Sequence, residues 1–214
     1  LKLKSLNISY NKTLNINNYV SECINTVLDY SDNHNKIILT AETGTGKTNA
    51  FLRYFAKQRP SKRLIILVPL TAIVEQSKAD FNTIVTLTGN STPEDHIKAR
   101  TAPLVMATYE QGFKHLSNPN TFDYIVIDEV HNLISAHSYK RKALQNITKI
   151  LNPYKVIGLT GTPNLLFKDI GYKLINVQKN TQQKVDVHFL VDNRSALKIA
   201  LQHLQTVKGK CIMR

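Results

Sequence analysis

The chain has 214 residues, 42% of them apolar, with 28 Lys and Arg against 15 Asp and Glu for a formal net charge of +13. That length gives room for one large domain, or one domain and part of a second, and the composition fits a soluble globular protein. No run approaches the ~18 apolar residues of a membrane span; two cysteines and scattered histidines cannot build a zinc site; the excess of positive charge points to a polyanionic partner.

The first residues, LKLKSLNISYNKTLN, lack the apolar core of a secretory signal, so a cytoplasmic or nucleoid-associated location is expected. The chain does not begin with Met, and its natural start is expected upstream. Residues 1–17 read as an N-terminal extension. Cys23 and Cys211 each sit inside an apolar pattern and read as reduced, buried thiols.

Short runs rich in Ile, Val and Leu then alternate with helical patterns. Lys36–Thr40 predicts a strand, followed by a helix over Lys47–Gln58. Arg63–Pro69 predicts the next strand, with a helix over Leu70–Phe81. Pro103–Ala107 and the helix Tyr109–Leu116 repeat the pattern, then Tyr124–Asp128, the helix Arg141–Leu151 and the strand Lys155–Leu159. Strands without polar alternation suit a parallel sheet covered on both faces. The prediction is an open α/β sheet whose ligands gather at the carboxyl ends of its strands. Near Gly171–Gln183 the chain turns polar (NVQKNTQQK) and reads as a linker. Beyond it Val185–Val191, Asn193–Thr206 and Lys210–Met213 read as strand, helix and strand. They are too small to bury their own faces, so a second α/β domain is expected over 184–214, cut short at Arg214.

Three segments at strand ends carry chemistry. Ala41-Glu42-Thr43-Gly44-Thr45-Gly46-Lys47-Thr48 matches the phosphate-cradling P-loop pattern, with Ala for its first Gly. Gly44 and Gly46 let backbone N–H groups turn inward, and the following helix adds its positive end. Lys47 would reach the β- and γ-phosphates, and the Thr48 hydroxyl would ligate Mg²⁺. Asp128-Glu129-Val130-His131 closes a buried strand. Its Asp can hold Mg²⁺ through water, and its Glu can orient an attacking water. Two acids leaving an apolar strand are costly unless a cation awaits them. His131 by itself reads equally as a cap or packing residue, and Thr160-Gly161-Thr162-Pro163 by itself reads as a turn.

Together and in this order, the three segments resemble helicase superfamily 2, the DExH-type RNA and DNA helicases. AETGTGKT is similar to motif I, DEVH to motif II and TGT to motif III, over roughly Tyr19 to Pro163. The resemblance implies a RecA-like P-loop NTPase domain over 1–180, ATP and Mg²⁺ as ligands, and DNA or RNA as partner. It also implies that Thr160, Gly161 and Thr162, with His131, couple nucleotide state to the bound strand. Val68–Gln76 resembles motif Ia, Thr88-Gly89 the TG motif and Thr108-Tyr109-Glu110 motif Ib. On that footing Pro69, Thr71, Gly89 and Thr108 are candidate contacts to sugar–phosphate.

The pattern departs from the family in three places. Thr71 stands where many relatives carry Arg or Lys. No Gln precedes Lys47 to read adenine, leaving Tyr19 as the residue that would stack on the base. The second-domain motifs, which supply arginine fingers in the family, are not in the chain, and a second RecA-like domain in cis is expected to complete the site. The residues suit a helicase, a translocase of a restriction or repair system that does not unwind, or an ATP-gated clamp. Lys47, Asp128 and Glu129 together argue against the clamp.

Overall fold

A computed structural model describes residues 8–58, 61–117, 122–135, 147–162 and 166–180. The chain divides into two units, Leu1–Asn180 and Thr181–Arg214. All described residues belong to the first. The elements expected over Val185–Met213, Cys211 and the start of the helix predicted from Arg141 lie outside them.

The first unit is one eight-stranded sheet, parallel throughout. Its strands are β1 (Lys12–Ile16), β2 (Lys36–Ala41), β3 (Leu64–Val68), β4 (Val85–Leu87), β5 (Leu104–Thr108), β6 (Tyr124–Ile127), β7 (Lys155–Thr160) and β8 (Lys173–Lys179). Their spatial order is β1-β8-β2-β7-β6-β3-β5-β4. All five strands expected from the apolar runs form, with ends shifted by a residue. β2, β3, β6 and β7 read as continuous apolar runs because both of their faces are covered.

Alternate residues feed two cores. Ile37, Leu39, Ile66, Val126 and Ile157 face one, which is closed by α1 (Ile24–Asn33), α2 (Lys47–Gln58) and α3 (Thr71–Asp80). Ile38, Ile65, Leu67, Ile125 and Val156 face the other. It is closed by α4 (Pro93–Ala99), α5 (Tyr109–Leu116), α6 (His131–Ser135), the helical residues 147–151 and α7 (Leu166–Asp169). The expected α/β sheet with helices on both faces is therefore present. α2 and α5 match their predicted limits, because each carries a regular apolar face between a turn and a polar end.

Three strands were not foreseen. β8 lies within the stretch read as a linker. Its Lys, Asn and Gln residues hide Leu174, Ile175 and Val177, which are buried between β1 and β2. β1 pairs with β8 from Lys12↔Ile175 to Ile16↔Lys179, so these residues of the supposed extension are an edge strand. Its alternating burial fits an edge, where one face meets water. β4 has only three residues, too few for a periodic signal. Cys23 is buried and free, as expected, and burial pushes its thiol up. No helix among the described residues is long and apolar enough to cross a membrane.

Gly158 in β7 has no room for a side chain. A Cβ there would stand 2.5 Å from Ile38 Cδ1 and 2.9 Å from Val130 Cγ1. Because Val130 follows Asp128 and Glu129 directly, this strand glycine fixes how closely the acidic segment approaches the sheet. Gly158→Ala is expected to destabilise the domain by about 1–3 kcal/mol through overpacking. Urea unfolding checks this; an unchanged midpoint would contradict it.

Candidate functional site

The three chemical segments converge because the strands bearing them are neighbours in parallel register. Thr40 on β2 lies opposite Thr160 on β7, and Ile127 on β6 lies opposite Gly158 on β7 and Leu67 on β3. The chain therefore leaves β2, β7 and β6 at nearly one level on the carboxyl edge of the sheet.

After Ala41 the backbone turns through Glu42, Thr43, Gly44, Thr45 and Gly46 into α2. Gly44 (φ +78°) and Gly46 (φ +66°) occupy the left-handed region, which explains glycine at both places. Thr45 is buried and its Oγ1 donates to the Glu42 carbonyl at 2.7 Å. Lys47 opens α2, and its Nζ donates to the carbonyls of Ala41 and Glu42, both at 3.0 Å. The ammonium thus draws the loop closed on itself. Burial lowers its pKa, opposed by the nearby charges of Glu129 and Asp128.

Asp128 continues the line of β6, its N–H donating to the Leu67 carbonyl at 2.8 Å. Its carboxylate is buried and doubly held. Oδ2 accepts from Thr48 Oγ1 at 2.7 Å and Oδ1 accepts from the Glu129 N–H at 3.0 Å. Burial nevertheless pushes its pKa up, and the Glu129 charge adds to this against the Thr48 hydrogen bond. Glu129 has φ +46°, alone among the described non-glycine residues in taking positive φ. Such backbone costs on the order of 1–3 kcal/mol and is held only where surroundings enforce it. Here Val130 N–H donates to the Leu159 carbonyl at 2.9 Å, and Tyr109 Oη donates to the carbonyls of Asp128 and Glu129.

His131 Nδ1 lies 3.3 Å from Glu129 Oε2 and 3.1 Å from Thr160 Oγ1. Thr160 is fully buried; its hydroxyl donates to the Thr162 carbonyl at 2.9 Å and accepts from the Thr162 N–H at 3.0 Å. Gly161 sits against the phosphate loop, with Thr43 Cγ2 3.4 Å from the position of a Cβ. His131 and the Thr160–Thr162 turn therefore form a contiguous path with the acidic pair.

Tyr19 flanks the loop. Its neighbour Val20 donates its N–H to the Thr45 carbonyl at 3.0 Å, and Tyr19 Cδ1 lies 3.6 Å from where a Gly46 Cβ would stand. The Tyr19 ring is exposed, while its backbone N–H and those of Asn17 and Asn18 donate to the Glu22 carboxylate at 2.8–2.9 Å. These bonds hold Glu22 below the usual carboxylate range. Glu22 and the Thr45 contact fix the Tyr19 backbone beside the phosphate loop, a detail no sequence motif signalled.

A cleft of about 280 Å³ is lined by Thr43, Gly44, Lys47, Thr48, Asp128 and Glu129, together with the α3 face bearing Gln76 and Asp80. Glu129 and Thr43 also line a neighbouring hollow with His131, Gly161 and Thr162. The α3 face was not foreseen, because its spacing resembles an ordinary solvent face. Among the described residues no group of three or more His, Cys, Asp or Glu could hold a metal ion. The hard-oxygen pair of Thr48 and Asp128 instead suits Mg²⁺, which keeps much of its water and leans on substrate phosphates.

The remaining candidates form a row beside this cleft. Pro69 and Thr71 follow β3, Thr108 ends β5 and Gly89 follows β4, and these three strands are adjacent. Thr71 and Gly89 are exposed, Pro69 and Thr108 half-buried. A Cβ on Gly89 would meet open space.

This parallel sheet with helices on both faces is the RecA-like α/β fold found in helicase domains. Residues 13–165 match the family described as Type III restriction enzyme, res subunit (ResIII), and the chain belongs to that family. It is 30% identical over 157 residues to the Type I restriction enzyme EcoAI endonuclease subunit of Escherichia coli, covering 68% of this chain and 19% of that protein. Among solved structures it resembles the Hef helicase domain of Pyrococcus furiosus, with TM-score 0.58, 19% identity, and 88% of this chain covered against 47% of that one. It also resembles the helicase MrfA bound to DNA and AMPPNP, with TM-score 0.54, 18% identity, and 87% covered against 32%. The chain thus spans about a fifth of its restriction-enzyme relative and about half of Hef.

The buried Asp128 yields a prediction with a definite sign. Its pKa is raised on folding, so the ionised form costs stability at neutral pH, and that cost fades as pH falls through the folded-state value. Asp128→Asn is expected to raise the Tm of the nucleotide-free protein by a few degrees at pH 7, with the gain shrinking in acid. A lower Tm at pH 7 would contradict it.

Proposed function

We propose that this chain is the ATP-binding half of a nucleic-acid-driven motor, a helicase or translocase that hydrolyses ATP on Mg²⁺. The observation that carries the reading is the 2.7 Å hydrogen bond from Thr48 to Asp128, in a cleft that also receives Lys47 and Glu129. Two segments 80 positions apart meet there with the groups that phosphoryl transfer needs.

In this reading Lys47 leaves the Ala41 and Glu42 carbonyls and donates to the β- and γ-phosphates of ATP. The N–H groups of residues 43–48 and the start of α2 bind the same oxygens. Thr48 and Asp128 would hold Mg²⁺. The ion's chemistry when bound is to neutralise charge on the transferred phosphoryl group. Glu129 orients the attacking water and accepts its proton. His131 and Thr160 share a hydrogen bond that reports the state of Glu129 to the Thr160–Thr162 turn. Tyr19 stacks on the base. Pro69, Thr71, Gly89 and Thr108 bear on the sugar–phosphate of DNA or RNA. A second RecA-like domain in cis would supply the arginines that phosphoryl transfer draws on.

Membership of a restriction-subunit family favours one specific form of this reading, translocation on duplex DNA without unwinding. A strand-displacement assay beside an ATPase assay separates the two forms.

Three outcomes are expected. ATP hydrolysis by the complete natural protein rises with single-stranded or duplex nucleic acid; a rate indifferent to single-stranded DNA, single-stranded RNA and duplexes would sink the motor reading. In that protein Glu129→Gln lowers turnover by roughly 10²-fold or more, as for loss of a positioned base, and an unchanged rate would remove Glu129 from its role. The 214-residue chain alone binds nucleotide yet turns over slowly, since an arginine finger is worth about 10³–10⁵. Turnover matching the complete protein would contradict that.

A further inference from the structure

We propose that Tyr109 is a positioning residue that ties the Glu129 carboxylate to the strand-binding row, its hydroxyl pinning the turn that aims Glu129. The proposal rests on the motor reading above and adds a residue to which that reading gave no role.

The placement of Tyr109 is the starting point. It is the first residue of α5 and follows Thr108, the last residue of β5. β5 does not touch β6; β3 lies between them, with Val68 opposite Thr108 and Leu67 opposite Ile127. Neighbouring strands are about 4.8 Å apart, so the span from β5 to β6 is roughly twice that. A phenol bridges it, passing over the end of β3 with its hydroxyl proton shared between the carbonyls of Asp128 and Glu129, the latter at 3.0 Å. Gly112, one turn along α5, makes this reach possible. A Cβ at that position would overlap the end of the Leu67 side chain and lie 3.3 Å from Ala107 Cβ, so glycine lets α5 lie this close to the sheet without displacing Leu67.

The segment that Tyr109 holds needs holding. Glu129 is in the left-handed region at φ +46°, a conformation its side chain disfavours. The opposite flank of the same turn is secured by Val130 N–H on the Leu159 carbonyl. Tyr109 secures the carbonyl side. Without its hydroxyl, the Glu129 carbonyl loses the only donor described for it besides the Asn132 N–H at 2.9 Å, and the turn is freer to relax. The ring lies near Phe113 on the same helix, at 6.4 Å between centroids.

The functional consequence follows from adjacency. A nucleic-acid strand seated at Thr108 bears on the start of α5. Any shift there is passed by one rigid side chain to the peptide that carries Glu129. The row and the water-positioning carboxylate are thereby linked by a route separate from His131 and Thr160.

Tyr109→Phe in the complete natural protein tests this, because it keeps the ring and deletes the hydroxyl. Steady-state ATP hydrolysis is measured with and without saturating single-stranded and duplex nucleic acid, alone and combined with Glu129→Gln. Stimulation by nucleic acid is expected to fall about tenfold, carried by kcat, with KM for ATP within about twofold. In the Glu129→Gln background the same substitution is expected to cost nothing further, since both act through one carboxylate. An undiminished stimulation factor, or losses that multiply in the double variant, would overturn the proposal while the motor reading stands. A wild-type protein that no nucleic acid stimulates would overturn both.

Discussion

Parallel register across β2, β7, β6 and β3 is the constraint on which the site depends. In a parallel sheet every strand delivers its carboxyl end to one edge. Thr40↔Thr160, Ile127↔Gly158 and Leu67↔Ile127 set those ends nearly level. A slip of one residue would exchange the two core faces and turn Thr48 and Asp128 away from each other. The apolar runs that look like simple core are therefore what places the polar residues beyond them. Gly158 belongs to this constraint too, because its missing side chain admits Val130 and sets the depth of Asp128 and Glu129.

The site stores unfavourable electrostatics that a ligand would relieve. Asp128 is buried with its pKa raised, Lys47 is buried with its pKa lowered, and Glu129 bears positive φ. Each is a cost that folding elsewhere offsets. Lys47 meets its share through two carbonyls and Asp128 through Thr48, partners that in the proposed reading phosphate oxygens and a divalent cation would replace. In the proposed reading, the groups that carry these costs without nucleotide are the ones that would favour binding it.

Much of this was legible in the chain. The phosphate loop, the acidic pair and the TGT turn each announce themselves by residue type directly after an apolar run, and the structure brings all three together. What could not be read obeys other physics. β8 hides apolar residues among Lys, Asn and Gln, because Leu174 faces one core and Ile175 and Val177 the other while the strand ends stay wet. The reach of Tyr109 to Asp128 and Glu129 depends on a strand order in which β3 separates β5 from β6, and order is a tertiary property that local patterns do not carry. The support of Tyr19 by Glu22 is an arrangement of loop N–H groups around a carboxylate, with no periodic signature.

Lys47, Thr48, Asp128 and Glu129 are proposed to act as one site for ATP with Mg²⁺. Calorimetric titration of the complete protein with a non-hydrolysable ATP analogue, with and without Mg²⁺, tests it most directly when repeated on Thr48→Val. Mg²⁺ is expected to tighten binding in the wild type, and this tightening is expected to be largely lost in the variant. Equal affinity with and without Mg²⁺ in the wild type, or an undiminished Mg²⁺ effect in Thr48→Val, would contradict it.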